Sequence, residues 1–159
     1  MGVTGDQGHT GGMAVDVVTE VVIARPPEEV AAYAGDPTHA PEWYANIESV
    51  SWQTPPPMGV GSRLDFVARF LGRTLDYTYE VVESGPDRLV MRTAQGPFPM
   101  ETTYTWEPAG DGGTRMTLRN RGEPAGFAKV AGPMMAAAIR RANEKDLVRL
   151  KQILESGAR

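Results

Sequence analysis

The sequence predicts an α+β domain in which a curved, seven-stranded antiparallel sheet wraps a long C-terminal helix, with two short helices after the first strand. Three observations carry that expectation. Segments between Val15 and Gly122 alternate apolar and polar residues with period two, most cleanly from Phe98 to Glu107. Short Gly- and Pro-containing stretches separate consecutive segments, so neighbouring strands return antiparallel. After Gly126 the apolar residues recur at helical spacing. The sheet's apolar face must be covered, and the final helix is the element long enough to do it.

The elements follow in order. Val15, Val17, Thr19, Val21 and Ile23 alternate with Asp16 and Glu20 in a first strand. Pro26-Pro27 ends it, and Pro27 opens a short helix through Glu28, Glu29, Val30 and Tyr33, with both acids near its positive end and Gly35 as its stop. Asp36-Pro37 starts a second short helical segment ending around Trp43-Tyr44. Strand two covers about Ile47 to Gln53. A long Pro55–Gly61 turn follows, and then strand three from Arg63 to Phe70. Gly72 turns the chain into strand four, where Leu75, Tyr77, Tyr79 and Val81 oppose Asp76, Thr78 and Glu80. Strand five, Leu89 to Thr93, has two possible inward sets. Leu89, Met91 and Thr93 are preferred because Arg88 and Arg92 then face water. Strand six carries Phe98, Met100, Thr102, Tyr104 and Trp106 on one face, and strand seven carries Met116, Leu118 and Asn120. The last helix runs from about Pro124 to Ser156, with a kink or break at Pro133.

Composition narrows the function. A chain of 159 residues fits one domain, and at that size roughly 70% of the unfolded chain's surface is hidden on folding. Residues 1–12 are Gly-rich, polar and poor in anything to bury. They are read as a disordered tail, with Met13 an alternative start, and residues 13–159 as one domain. No cysteine is present, which removes disulfides and thiolate metal sites and suits a cytoplasmic location. A net charge of −4 with no Lys/Arg block argues against nucleic acid as a partner. The chain has no apolar run near the roughly 20 residues that membrane insertion by a helix requires, and no signal-peptide pattern. Arginine outnumbers lysine heavily, a compositional hint of a bacterial source.

In an antiparallel meander, turns fall at alternating ends of the sheet. Leu71-Gly72, Gln95-Gly96-Pro97 and Gly122–Gly126 therefore gather at one end, flanked by Phe70, Phe98 and Phe127, aromatic residues unusual in exposed turns. That end is the expected mouth of a cavity between sheet and helix.

Several segments, in order, carry a family resemblance: Gly59-Val60-Gly61-Ser62, Phe70-Leu71-Gly72-Arg73, Gly85-Pro86-Asp87-Arg88, Pro97-Phe98-Pro99-Met100, Asp111-Gly112-Gly113-Thr114 and Gly122-Glu123-Pro124-Ala125-Gly126-Phe127. From about Val15 to Leu154 the chain resembles the polyketide cyclase/dehydrase group of the START-like (SRPBCC, Bet v 1-like) superfamily. The resemblance implies a helix-grip fold with a hydrophobic cavity. It does not select among cyclases, lipid and hormone binders and chaperone cofactors.

No nucleophile elbow, HExxH pair or P-loop is present. His39 is the sole histidine outside the tail, so His-rich metal sites and a Ser-His-Asp triad are not expected, and no cofactor is implied. The polar candidates are Tyr77, Tyr79 and Tyr104, with Asn120 and Asn143. Each tyrosine is either core packing or a phenol able to donate a hydrogen bond to a ligand carbonyl, and Asn143 faces either the cavity or solvent. The acids Asp16, Glu20, Glu80, Glu101 and Glu107 fall on outward faces, so a buried carboxylate pair for acid/base work is not expected. The predicted lining is Phe66, Phe70, Met91, Phe98, Met100, Thr102, Trp106, Met116, Phe127, Met134 and Ala138, with the methionines either adaptable contacts or gap-fillers. Trp43 and Tyr44 form either a lid or a clasp. The expected partner is a hydrophobic small molecule, polyketide-like or lipid-like, bound without a recognisable catalytic motif. The alternative is a cyclase/dehydrase-like enzyme in which the tyrosines and asparagines polarise substrate carbonyls.

Overall fold

The computed structural model describes residues 15–123 and 132–156. Strand β1 (Val15–Ile23) leads into helix α1 (Pro27–Ala34), a 3₁₀ turn (Pro37–His39) and helix α2 (Ala40–Trp43). Six strands follow: β2 (Ile47–Trp52), β3 (Arg63–Phe70), β4 (Arg73–Gly85), β5 (Arg88–Gln95), β6 (Met100–Ala109) and β7 (Gly113–Gly122). Helix α3 (Gly132–Glu155) is the last described element. The strands form one antiparallel sheet of order β1-β7-β6-β5-β4-β3-β2, so only the β1–β7 pairing departs from a simple meander.

Local chemistry explains the boundaries. Pro27 stands at the start of α1, where a missing N–H costs nothing, and the Gly35 N–H bonds the Ala31 carbonyl to close it. A Cβ on Gly35 would lie 2.5 Å from that carbonyl oxygen, so this stop demands glycine. The Asp36 carboxylate caps the 3₁₀ turn by accepting from Thr38 N at 3.0 Å. Between β3 and β4, Leu71 (φ 50°) and Gly72 (φ 77°) form a two-residue hairpin turn with both residues in the left-handed region, the geometry that matches strand twist. In α3, Pro133 falls in the first turn, where backbone donors have no intrahelical partner. The helical stretch expected from Pro124 to Ala131, and with it a kink relative to α3, lies outside the described residues. Phe98 precedes β6 instead of belonging to it.

One face of the sheet is the core. Ile23, Leu64, Val81, Leu89, Met116 and Leu118 pack against Leu147, Leu150 and Leu154 of α3 and against Val30 and Trp43 of the short helices. Burying each such side chain contributes about 1.5–3 kcal/mol. Leu89 and Met91 take the inward positions of β5, while Arg88 and Arg92 are exposed. Val90 is also buried, on the outer face. The β1 edge is closed by α3, whose Arg140 and Lys151 donate to the Val18 and Val22 carbonyls at 3.0 and 2.8 Å. A second apolar cluster of Val15, Val17, Leu75, Phe98 and Met135 gathers where the β3–β4 and β5–β6 turns meet the start of α3. Between the two clusters the packing leaves a void.

Candidate functional site

The void is a cavity of about 170 Å³ between α3 and the inner face of β3–β7. Empty apolar cavities of about 150 Å³ accept a benzene molecule, so this space suits a single aromatic ring. Alternation along β3, β4 and β6 places Phe66, Tyr77, Tyr79, Thr102 and Tyr104 on its wall. Phe66 stacks on Tyr77 (centroids 5.2 Å apart, 3° between planes), and Tyr79 meets both rings edge-on. Phe70, Leu75 and Phe98 line the end where the turns gather.

Three groups of polar contacts cross this apolar wall. A hydrogen-bonded string runs from β4 to the helix: Tyr79 Oη lies 2.8 Å from Thr102 Oγ1, Asn120 Nδ2 donates to Thr102 Oγ1 at 3.0 Å, and Asn143 Nδ2 donates to Asn120 Oδ1 at 2.6 Å. Separately, the hydroxyls of Tyr44 and Tyr104 lie 2.7 Å apart. The third contact is Asp146 Oδ1, which accepts from Ala45 N at 3.1 Å. Burial pushes the Tyr79 phenol up to about 12 and holds Tyr44, Tyr77 and Tyr104 well above their ordinary value, so all four are neutral donors across the physiological range. Asp146 is 4% exposed, and burial raises its carboxyl from 3.8 to about 6.

Two of these groups, Asp146 and Tyr44, were not among the candidate site residues named from the sequence. Asp146 is an inward acid that the sequence candidates did not include. At 100° per residue it lies within about 40° of Leu150 around α3, inside the buried arc, so spacing could have found it. Tyr44, read as lid or clasp, lines the cavity, while its neighbour Trp43 is 1% exposed and stacked on it at 4.2 Å in the core.

The expected lining separates into three groups. Phe66, Phe70, Met91, Phe98, Met100 and Thr102 line the cavity, as do Tyr77, Tyr79, Tyr104, Asn120 and Asn143. Four residues do not. Trp106 and Met116 face inward, but they are opposite one another in the β6–β7 register beyond Tyr104 and Leu118, where the core is filled. Trp106 borders instead an open groove beside α1. Met134 is 65% exposed on the far side of α3, and its neighbour Met135 takes the inward place. Ala138 is half-buried off the lining, which α3 supplies through Ile139, Ala142 and Asn143. Phe127 lies outside the described residues. Glu101 points to the outer face as expected. It is nonetheless only 8% exposed, because Arg92 and Arg121 cover it at 2.6 and 3.1 Å. Among the described residues no group of three or more His, Cys, Asp or Glu could hold a metal ion, and no helix is long and apolar enough to cross a membrane.

Comparison with known proteins agrees with this architecture. The model of the family described as polyketide cyclase / dehydrase and lipid transport matches residues 14–155. The chain belongs to this family. Solved structures share the fold of this polyketide cyclase/dehydrase and lipid-transport member at low identity. A protein from Thermus thermophilus is 22% identical, with 91% of this chain and 99% of that chain covered and a TM-score of 0.74. A START superfamily protein from Mycobacterium smegmatis is 20% identical, covering 89% and 97%, with a TM-score of 0.75. The Zhui aromatase/cyclase from a Streptomyces species is 17% identical, covering 91% and 95%, with a TM-score of 0.72. No curated protein sequence matches significantly.

Proposed function

We propose that the protein binds a small apolar or aromatic molecule in the cavity between sheet and α3. The observation that carries this reading is a void in the packed interior whose wall is aromatic and aliphatic, yet crossed by aligned polar groups from Tyr79 to Asn143. A void costs stability in proportion to its volume, and one that combines apolar area with a few fixed hydrogen-bonding groups is the composition of a small-molecule site. The family description, polyketide cyclase / dehydrase and lipid transport, supports the same class of ligand.

A second reading, a cyclase- or dehydrase-like enzyme, is favoured by one observation. Burial raises the Asp146 carboxyl to about 6, and it shares the cavity with the hydrogen-bonded phenols of Tyr44 and Tyr104, giving one group able to exchange a proton beside a phenol pair with one O–H left to polarise a carbonyl.

The binding reading is tested by titrating toluene and indole into the protein while following backbone amide NMR shifts. Saturable shifts confined to β3, β4, β6 and α3 are expected. Ala142→Trp, which fills the void from the helix side, should abolish them while preserving the fold. Failure of the wild type to bind any one-ring apolar probe would refute the proposal. Turnover lost in Tyr104→Phe or Asp146→Asn, with binding kept, would establish the enzymatic reading.

A further inference from the structure

Within the aromatic cavity Asp146 is an anomaly. Its Oδ1 is satisfied by the Ala45 N–H, but no other described donor bonds it, and no described Lys or Arg forms an ion pair with it. A buried carboxylate normally has a counter-charge, because desolvation without pairing costs several kcal/mol. The two guanidinium side chains on the lining are committed elsewhere: Arg69 pairs with Glu48 at 3.7 Å and Arg121 with Glu101 at 3.1 Å. Facing Asp146 from α2–β2 and β6 are Tyr44 and Tyr104, both neutral. On α3 itself its sequence neighbour Lys145 is exposed and acts only through space. Tyr44 and Tyr104 lie close enough to feel the charge of Asp146, and the rings of Phe66, Tyr77 and Tyr79 share the same cavity wall. Aromatic walls with one carboxylate form the chemistry that recognises an organic cation, since ring faces and carboxylate both attract positive charge.

Building on the binding reading above, we propose that the cavity's ligand is a small aromatic or apolar amine, bound with its ammonium group on Asp146 and its apolar body among the tyrosines and Phe66. The ammonium supplies the counter-charge that no described residue does. The volume of about 170 Å³ accommodates a body of about one ring.

Benzylamine, benzyl alcohol and toluene are nearly isosteric and separate cation, neutral donor and apolar body. Calorimetric or NMR titration of the wild type at pH 7.5 should give benzylamine an affinity at least about tenfold above benzyl alcohol, the scale of a charge-assisted contact. That advantage should shrink by about tenfold at pH 5, where the Asp146 carboxyl is mostly protonated while the amine stays charged. Asp146→Asn should erase the preference for benzylamine and leave toluene affinity within about twofold. If that variant does not fold, the wild-type pH profile decides alone. Binding of toluene or benzyl alcohol with no gain for benzylamine, or a gain that does not change between pH 7.5 and 5, overturns the amine assignment and leaves the binding reading standing. Binding of none of the three overturns both.

Discussion

Replacing Asp146 by Asn keeps the amide-accepting oxygen for Ala45 N and nearly the same volume, and removes the charge. In the folded protein the carboxyl titrates at about 6 because burial disfavours its ionised form, against an ordinary 3.8 in the unfolded chain. The folded state therefore holds its proton more tightly than the unfolded state. The stability this confers is fully present below pH 3.8 and is lost as pH rises through 6. The difference of 6 − 3.8, multiplied by about 1.36 kcal/mol per pH unit, makes the total loss about 3 kcal/mol, of which about 1.4 kcal/mol falls between pH 5 and 7.5. Asn has no such dependence. Urea denaturation of wild type and Asp146→Asn at pH 5 and 7.5 should show the variant gaining on the wild type by about 1–2 kcal/mol across that interval. Asp16, held low by Arg119, Glu101, held low against burial by Arg92 and Arg121, and Glu155, held low by Lys151 and the Ala24 N–H, contribute stability that is lost in the opposite direction, on acidification. They are common to both proteins and cancel. A stability difference that stays constant between pH 5 and 7.5 would refute the claim that Asp146 is a desolvated, unpaired acid.

Other consequences are open to direct measurement. Leu71→Asn places a residue tolerant of positive φ in the β3–β4 turn, where Leu71 is 48% exposed, and should stabilise the protein by about 0.5–1 kcal/mol in thermal unfolding. Thr102→Val strips Tyr79 Oη and Asn120 Nδ2 of their shared partner and should cost about 2–4 kcal/mol in denaturant unfolding, more than Tyr79→Phe alone. Gly96→Ala puts a Cβ 2.9 Å from the Cβ of Tyr77 at the mouth end of the cavity. It should destabilise by about 1–3 kcal/mol and shift the Tyr77 ring resonances in NMR spectra.

Period-two alternation was enough to place the strands and their inward faces, because a half-buried strand can satisfy one face only by alternating. β3, β4, β6 and β7 are where that reading expects them. The order of elements likewise implied a meander closed by a helix. The phase of α3 was harder to read: Ala136, Ala137, Ala138 and Ala142 are apolar on every side, so the stripe looked wide enough to include Met134. Counting back from Leu154, Leu150 and Leu147 at 3.6 residues per turn selects Asn143, Ile139 and Met135 and leaves Met134 about 160° from Leu150. The same count places Asp146 inside the arc, although acids are seldom buried without a partner. Trp106 and Met116 show the remaining gap. Alternation states which face a side chain takes, but not whether another side chain fills the space opposite. Val30, Trp43 and Leu147 belong to the filled core, whereas Ile139, Ala142 and Asn143 border open space. Where the sheet is packed and where it stays hollow depends on how α1, α2 and α3 come together across it, and only the tertiary structure decides that.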